Sequence, residues 1–132
     1  MSILQAVKQY ADQIGGTFTD YDHTKGIIVV PLNNGRFQTV LVVIEKSKTS
    51  GKERAVFISK VTEYNASIDA YDLLVQNGHF DYSKFIIDEG QIKVVASSLV
   101  DTTTADDVRY MVQEVAQLAD HYELKFTGKD IH

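Results

Sequence analysis

The residues of this chain that could do chemistry are few, and their densest run is Asp20-Tyr21-Asp22-His23. Two carboxylates one residue apart open a calcium loop. Such a loop needs glycine at its sixth position and glutamate at its twelfth, where Lys25 and Pro31 stand instead. His23 beside Asp22 is the pairing of general acid/base catalysis, but sequence neighbours in a loop point apart, and no nucleophile accompanies them. Ser50-Gly51-Lys52 shares the Gly-Lys of a phosphate-binding loop without the earlier glycine or the following helix that cradle a phosphate. His79, His121 and His132 have neither i, i+4 nor His-x-His spacing, with one another or with His23, so no zinc ligand set is visible. These residues predict a non-enzymatic protein with no cofactor and no metal.

The elements that would have to position any site follow from composition and periodicity. A chain of 132 residues with 44% apolar content can bury one continuous core, so residues 1–132 are expected to form a single domain. The net charge of −5 disfavours a nucleic-acid partner, because neutralising phosphates needs clustered cations. Lys46, Lys48, Lys52 and Arg54 are instead interspersed with Glu45 and Glu53. Zero cysteines remove disulfides and thiolate chemistry. The amino terminus enters an amphipathic pattern, unlike a signal peptide, and the longest apolar runs fall far below the roughly 18 residues of a membrane span. A soluble cytoplasmic protein without membrane contact is expected.

Ile3, Leu4, Val7, Tyr10, Ala11 and Ile14 recur at helical spacing, which predicts helix one from Ser2 to Ile14, stopped by Gly15-Gly16. Thr19 to Lys25 reads as a polar loop. Ile27-Ile28-Val29-Val30 and Phe37 to Glu45 flank Asn34-Gly35, a hairpin signal, and Arg54 to Val61 completes a meander. Asn65 or Ser67 would cap helix two, which carries Ile68, Tyr71, Leu74 and Val75 and ends at Asn77-Gly78. Tyr82 to Ile87 and Gln91 to Leu99 turn about Asp88-Glu89-Gly90. Helix three starts at Thr103 with Asp106 or at Thr104 with Asp107 and buries Val108, Met111, Val112, Val115, Leu118, Ala119 and Tyr122. The expected fold is α+β in the order α-β-β-β-α-β-β-α, with an antiparallel sheet and helices one and three on one face.

The strands are apolar on both sides. Leu41 and Val43 alternate with Val40, Val42 and Ile44, and Val56 and Ile58 repeat the pattern. A sheet with one solvated face should alternate apolar with polar. The second face therefore calls for helix two, a second subunit or a partner protein. Tyrosine, apolar in its ring and polar at its tip, is enriched at interfaces. Together these features nominate Val40, Val42, Ile44, Val56, Ile58, Tyr64 and Tyr71 as partner-binding residues.

The order of elements resembles that of class I type III secretion chaperones. Leu74-Val75-Gln76-Asn77, Phe85-Ile86-Ile87-Asp88-Glu89-Gly90-Gln91-Ile92, Thr103-Thr104-Ala105-Asp106-Asp107-Val108 and Val115-Ala116-Gln117-Leu118-Ala119-Asp120 resemble the YbjN-like branch of that superfamily. The resemblance implies a single chaperone-like domain without enzymatic activity. It also implies a small, acidic, cytoplasmic homodimer that holds an extended client, or a stress-related regulator, and it brings no fixed functional residue. Two functions follow. One is a protein-interaction module acting through a sheet face or the edge of helix two. The alternative is a ligand-binding domain or enzyme with a pocket between the sheet and helix three, and Tyr21, Asp22 and His23 at its mouth.

Overall fold

Ser2 opens the first helix by accepting a hydrogen bond from the Gln5 N–H at 3.1 Å while its own N–H donates to Gln5 Oε1 at 3.0 Å. That capping box starts α1 (Ile3–Ile14) in the computed structural model, which describes residues 2–128. The strands are β1 (Thr17–Asp22), β2 (Lys25–Pro31), β3 (Phe37–Lys46), β4 (Glu53–Glu63), β5 (Ser83–Asp88) and β6 (Gln91–Leu99). The remaining helices are α2 (Ala70–Gln76) and α3 (Ala105–Thr127). All strand pairings are antiparallel, in the spatial order β1-β2-β3-β4-β6-β5. The expected α+β order holds, with one further strand, β1, in the stretch read as a loop.

β1 escapes periodicity because an edge strand exposes most of its side chains, and only Phe18 of Thr17–Asp22 turns inward. Its register is set by Gly26. A Cβ there would stand 2.6 Å from Phe18 Cζ, so glycine is what lets the ring lie across β2. Asp22 closes the β1–β2 turn by accepting from the Thr24 N–H at 2.6 Å and the Thr24 hydroxyl at 2.7 Å. Those bonds hold its carboxyl below the ordinary range.

The β2–β3 connection departs from a two-residue turn. Pro31 still pairs with Phe37, and between them Asn33–Gly35 makes one turn of 3₁₀ helix. Asn34 and Gly35 nevertheless adopt the positive φ, 65° and 73°, that the Asn-Gly signal foretells. At the β5–β6 turn Glu89 and Gly90 do the same at 51° and 75°. Helix two starts later than expected, capped by Asp69. Asn65 folds back instead to accept from the Ser67 N–H at 2.9 Å. Of the two signatures before α3, the Thr104–Asp107 box forms, while Thr103 donates to the Leu99 carbonyl at 2.5 Å.

The core lies between the sheet and the pair α1 and α3. Val108, Met111, Val112, Val115, Ala119 and Tyr122 of α3 meet Val7 and Ala11 of α1 and the inward residues of the strands. α2 contributes only Leu73 and the preceding Ile68, at the β5 edge. Its cleft with β5 reaches Ile86, at the edge of the opposite face.

Glu114 of α3 ties the chain entering β5 to the helix. Its carboxylate accepts from the backbone N–H groups of Asp81 (2.9 Å), Tyr82 (2.9 Å) and Ser83 (2.8 Å). Burial pushes the carboxyl up, but these donors and the neighbouring Ser83 hydroxyl outweigh it and hold it below the ordinary 4.5. The depressed folded value means the contribution is present above the unfolded pKa and lost as pH falls through the folded one. Glu114→Gln should therefore cost about 1–2 kcal/mol in urea denaturation at neutral pH, with the difference closing in acid. A difference that persists in acid would place the cost in packing.

Candidate protein-binding face

Period two sorts each strand into a helix-covered row and an open row. On β3 the covered row is Gln38, Val40, Val42 and Ile44, with Val40 and Val42 at 0% exposure, and Ile44 packs on the same core. Leu41 and Val43 face the other way and are half-buried. On β4 Ala55, Phe57 and Ser59 point inward, and Val56, Ile58 and Lys60 point out. Val40, Val42 and Ile44, expected to meet a partner, are instead covered by α1 and α3, and Leu41 and Val43 hold the open parity of β3. Val56 and Ile58 do lie on the open face.

The ladders bring these residues into rows. Ile27 stands opposite Leu41, Leu41 opposite Ile58, Ile58 opposite Val95, and Val95 opposite Lys84. Beside this row, Lys25, Val43, Val56 and Ser97 form a second. Aliphatic side chains in contact across strands stabilise one another by roughly 0.2–1 kcal/mol per pair. Such contacts bury Val56 (8% exposed) and Val95 (6%), although neither joins the core cluster under α1 and α3. Among the described residues, neither α1 nor α3 packs on them.

One end of this face is hollowed. Pairing of β3 with β4 stops at Leu41 and Ile58, and a bulge follows between Lys60 and Thr62. The buried Gln38 amide bridges the gap, donating to Ser59 Oγ at 3.0 Å and to the Lys60 carbonyl at 3.2 Å. Above it opens a depression of about 430 Å³ lined by Thr39, Leu41, Ile58, Lys60 and Lys93.

A second apolar surface sits at the β5 edge. Leu74 (70% exposed) and Ile87 line a cleft between α2 and β5, and Tyr71 (76%) and Val75 are exposed on the same helix. Tyr64 stands apart from them, following β4, with its N–H on the Gly90 carbonyl at 2.9 Å. Two outward N–H groups of β5 are already met, since Asn77 accepts from the Phe85 N–H at 2.6 Å and Glu114 from the Ser83 N–H at 2.8 Å.

The residues considered for catalysis stay dispersed. Tyr21, Asp22 and His23 form the β1–β2 turn and line neither of the two open clefts along α3. His79 follows α2, His121 rims the cleft beside Arg36 and Asp120, and His132 lies outside the described residues. Among the described residues no group of three or more His, Asp or Glu is placed to hold a metal ion, and no helix is long and apolar enough to cross a membrane.

Sequence reasoning missed Leu41 and Val43 as outward residues, and the charges at the strand ends could not have found them, since Glu45 and Lys46 close β3 on opposite parities.

No family model matches the sequence, and no curated protein does. The backbone is similar to a solved structure, the type III secretion chaperone SycH of Yersinia pestis in complex with a stable fragment of YscM2. The TM-score is 0.61 at 12% identity, over 92% of this chain and 99% of that one. The fold is a type III secretion chaperone-like fold.

Proposed function

We propose that this chain is a non-enzymatic, cytoplasmic protein-interaction module that holds a segment of another protein on the open face of its sheet. The observation that carries the reading is the row Ile27, Leu41, Ile58 and Val95, apolar across four strands with no helix over it. Its members are half-buried or buried by one another rather than by a helix, and a contiguous aliphatic row left without a covering layer is suited to an interaction site. SycH, with the same fold, was solved holding a protein fragment. The patch of Tyr71, Leu74 and Ile87 at the α2 edge supplies a separate surface suited to a second copy, so that a homodimer leaves both open faces free. A YbjN-like regulator would use the same face, with a signalling protein in place of a client.

The test is a panel of 15-residue peptides of varied apolar pattern, with light scattering of the free chain alongside. Amphipathic peptides are expected to bind, Ile58→Asp to abolish that binding, and the free chain to run as a dimer. Silence across all patterns would contradict the client reading, and a monomer at high micromolar concentration would remove the second copy.

A further inference from the structure

The open face breaks a rule of sheet design at its hollowed end. Lys60 on β4 stands directly opposite Lys93 on β6, and like charges in that position destabilise the pairing. Lys84 lies on β5, beside β6 and on the same face. Asp88 relieves Lys93 at 2.9 Å, and Glu45 is taken by Arg54 at 3.3 Å. Lys60 and Lys84 are exposed and have no ion-pair partner among the described residues. Glu63, the remaining acid at that end, lies past the bulge at the strand terminus. On a chain of net charge −5, lysines have thus been placed around an apolar depression at some cost to the sheet.

The geometry points to an acidic, amphipathic segment of another protein as the occupant. An apolar side chain would enter the depression over Leu41 and Ile58, and flanking Asp or Glu side chains would meet Lys60 and Lys84. This deepens the interaction reading above and rests on it. A second copy of the chain fits less well, because the acids nearest the depression on its own open face already pair with Lys93 and Arg54. Phosphate polymers fit less well still, because the centre of the site is aliphatic and the chain as a whole is acidic.

Three fluorescent peptides with one apolar pattern and Glu, Gln or Lys flanks test the assignment by anisotropy on the full chain. The Glu peptide should bind about threefold to tenfold tighter than the Gln peptide, as expected for a pair of exposed ion pairs. That margin should shrink at high salt. Lys60→Glu should reverse the order of Glu and Lys peptides while melting no lower than the parent, since it sets opposite charges across from Lys93. Equal binding of the three peptides, or an unchanged order in Lys60→Glu, would overturn the acidic partner and leave the docking face standing. Tighter binding to anionic phospholipid vesicles than to the Glu peptide would overturn it in favour of a membrane surface. A dimer dissociated by Ile58→Asp would overturn it in favour of a second copy. Failure of all three peptides to bind would count against the interaction reading itself.

Discussion

Phe57→Ala should cost about 3–5 kcal/mol of folding stability, whereas Ile58→Asp, one residue on, should cost about 1 kcal/mol and abolish peptide binding. Phe57 is wholly buried among the core side chains under α1 and α3. Its truncation removes an aromatic ring and leaves a cavity that close-packed neighbours fill only in part. Ile58 points to the opposite face, half-buried by strand neighbours alone. An aspartate there remains hydrated in the free protein, with Lys60 and Lys84 on the same face to receive it. It becomes unpaired and desolvated only when an apolar segment is laid over it. Chemical denaturation reads the first effect, and peptide anisotropy the second. Equal destabilisation by both changes would mean that the open face is covered within the molecule.

Arg36→Leu should destabilise by about 3 kcal/mol, several times more than Asp120→Asn at about 1 kcal/mol. Arg36, in the β2–β3 loop, donates from Nε to Asp120 Oδ2 at 2.9 Å, bridging the loop to α3. The partners are unequal. The side chain of Asp120 is 5% exposed and that of Arg36 is 29% exposed. Losing the guanidinium strands a buried carboxylate, and Asp120 Oδ1 already finds no hydrogen bond among the described residues. Losing the carboxylate leaves a cation that reaches water. Arg36→Leu with Asp120→Leu together should recover most of the loss, since an apolar pair needs no desolvation of charge. Urea denaturation of the three variants checks the order. A double variant as unstable as Arg36→Leu alone would place the cost in the loop conformation.

The helices were legible because their apolar residues recur at 3.6 and their caps are local. Ser2, Gly15 and Thr104 with Asp107 act within one turn of their own position. β1 was not legible because an edge strand has almost nothing to bury, and Phe18 alone is too little pattern. Asp120 reads as one of the polar residues of α3 until the β2–β3 loop folds over it and delivers Arg36 from 84 residues away. The choice between Val40, Val42 and Leu41, Val43 was open in β3 itself, since both parities are aliphatic. It is decided by which side α1 and α3 occupy, a tertiary fact. The doubly apolar pattern was nonetheless the signal that led to the candidate face. A strand buried on one side only has no reason to carry isoleucine and leucine on the other.

Methyl resonances of isoleucine, leucine and valine report on both rows of the sheet at once, so a titration with the Glu-flanked amphipathic peptide reads the docking face directly. Shifts should concentrate at Ile27, Leu41, Val43, Ile58 and Val95, with Val40, Val42 and Val94 beneath them nearly still. Shifts confined to Leu74, Val75 and Ile87 at the α2 edge, or to Ile14, Leu32 and Leu124 in the cleft along α3, would contradict the account and move the site off the open face.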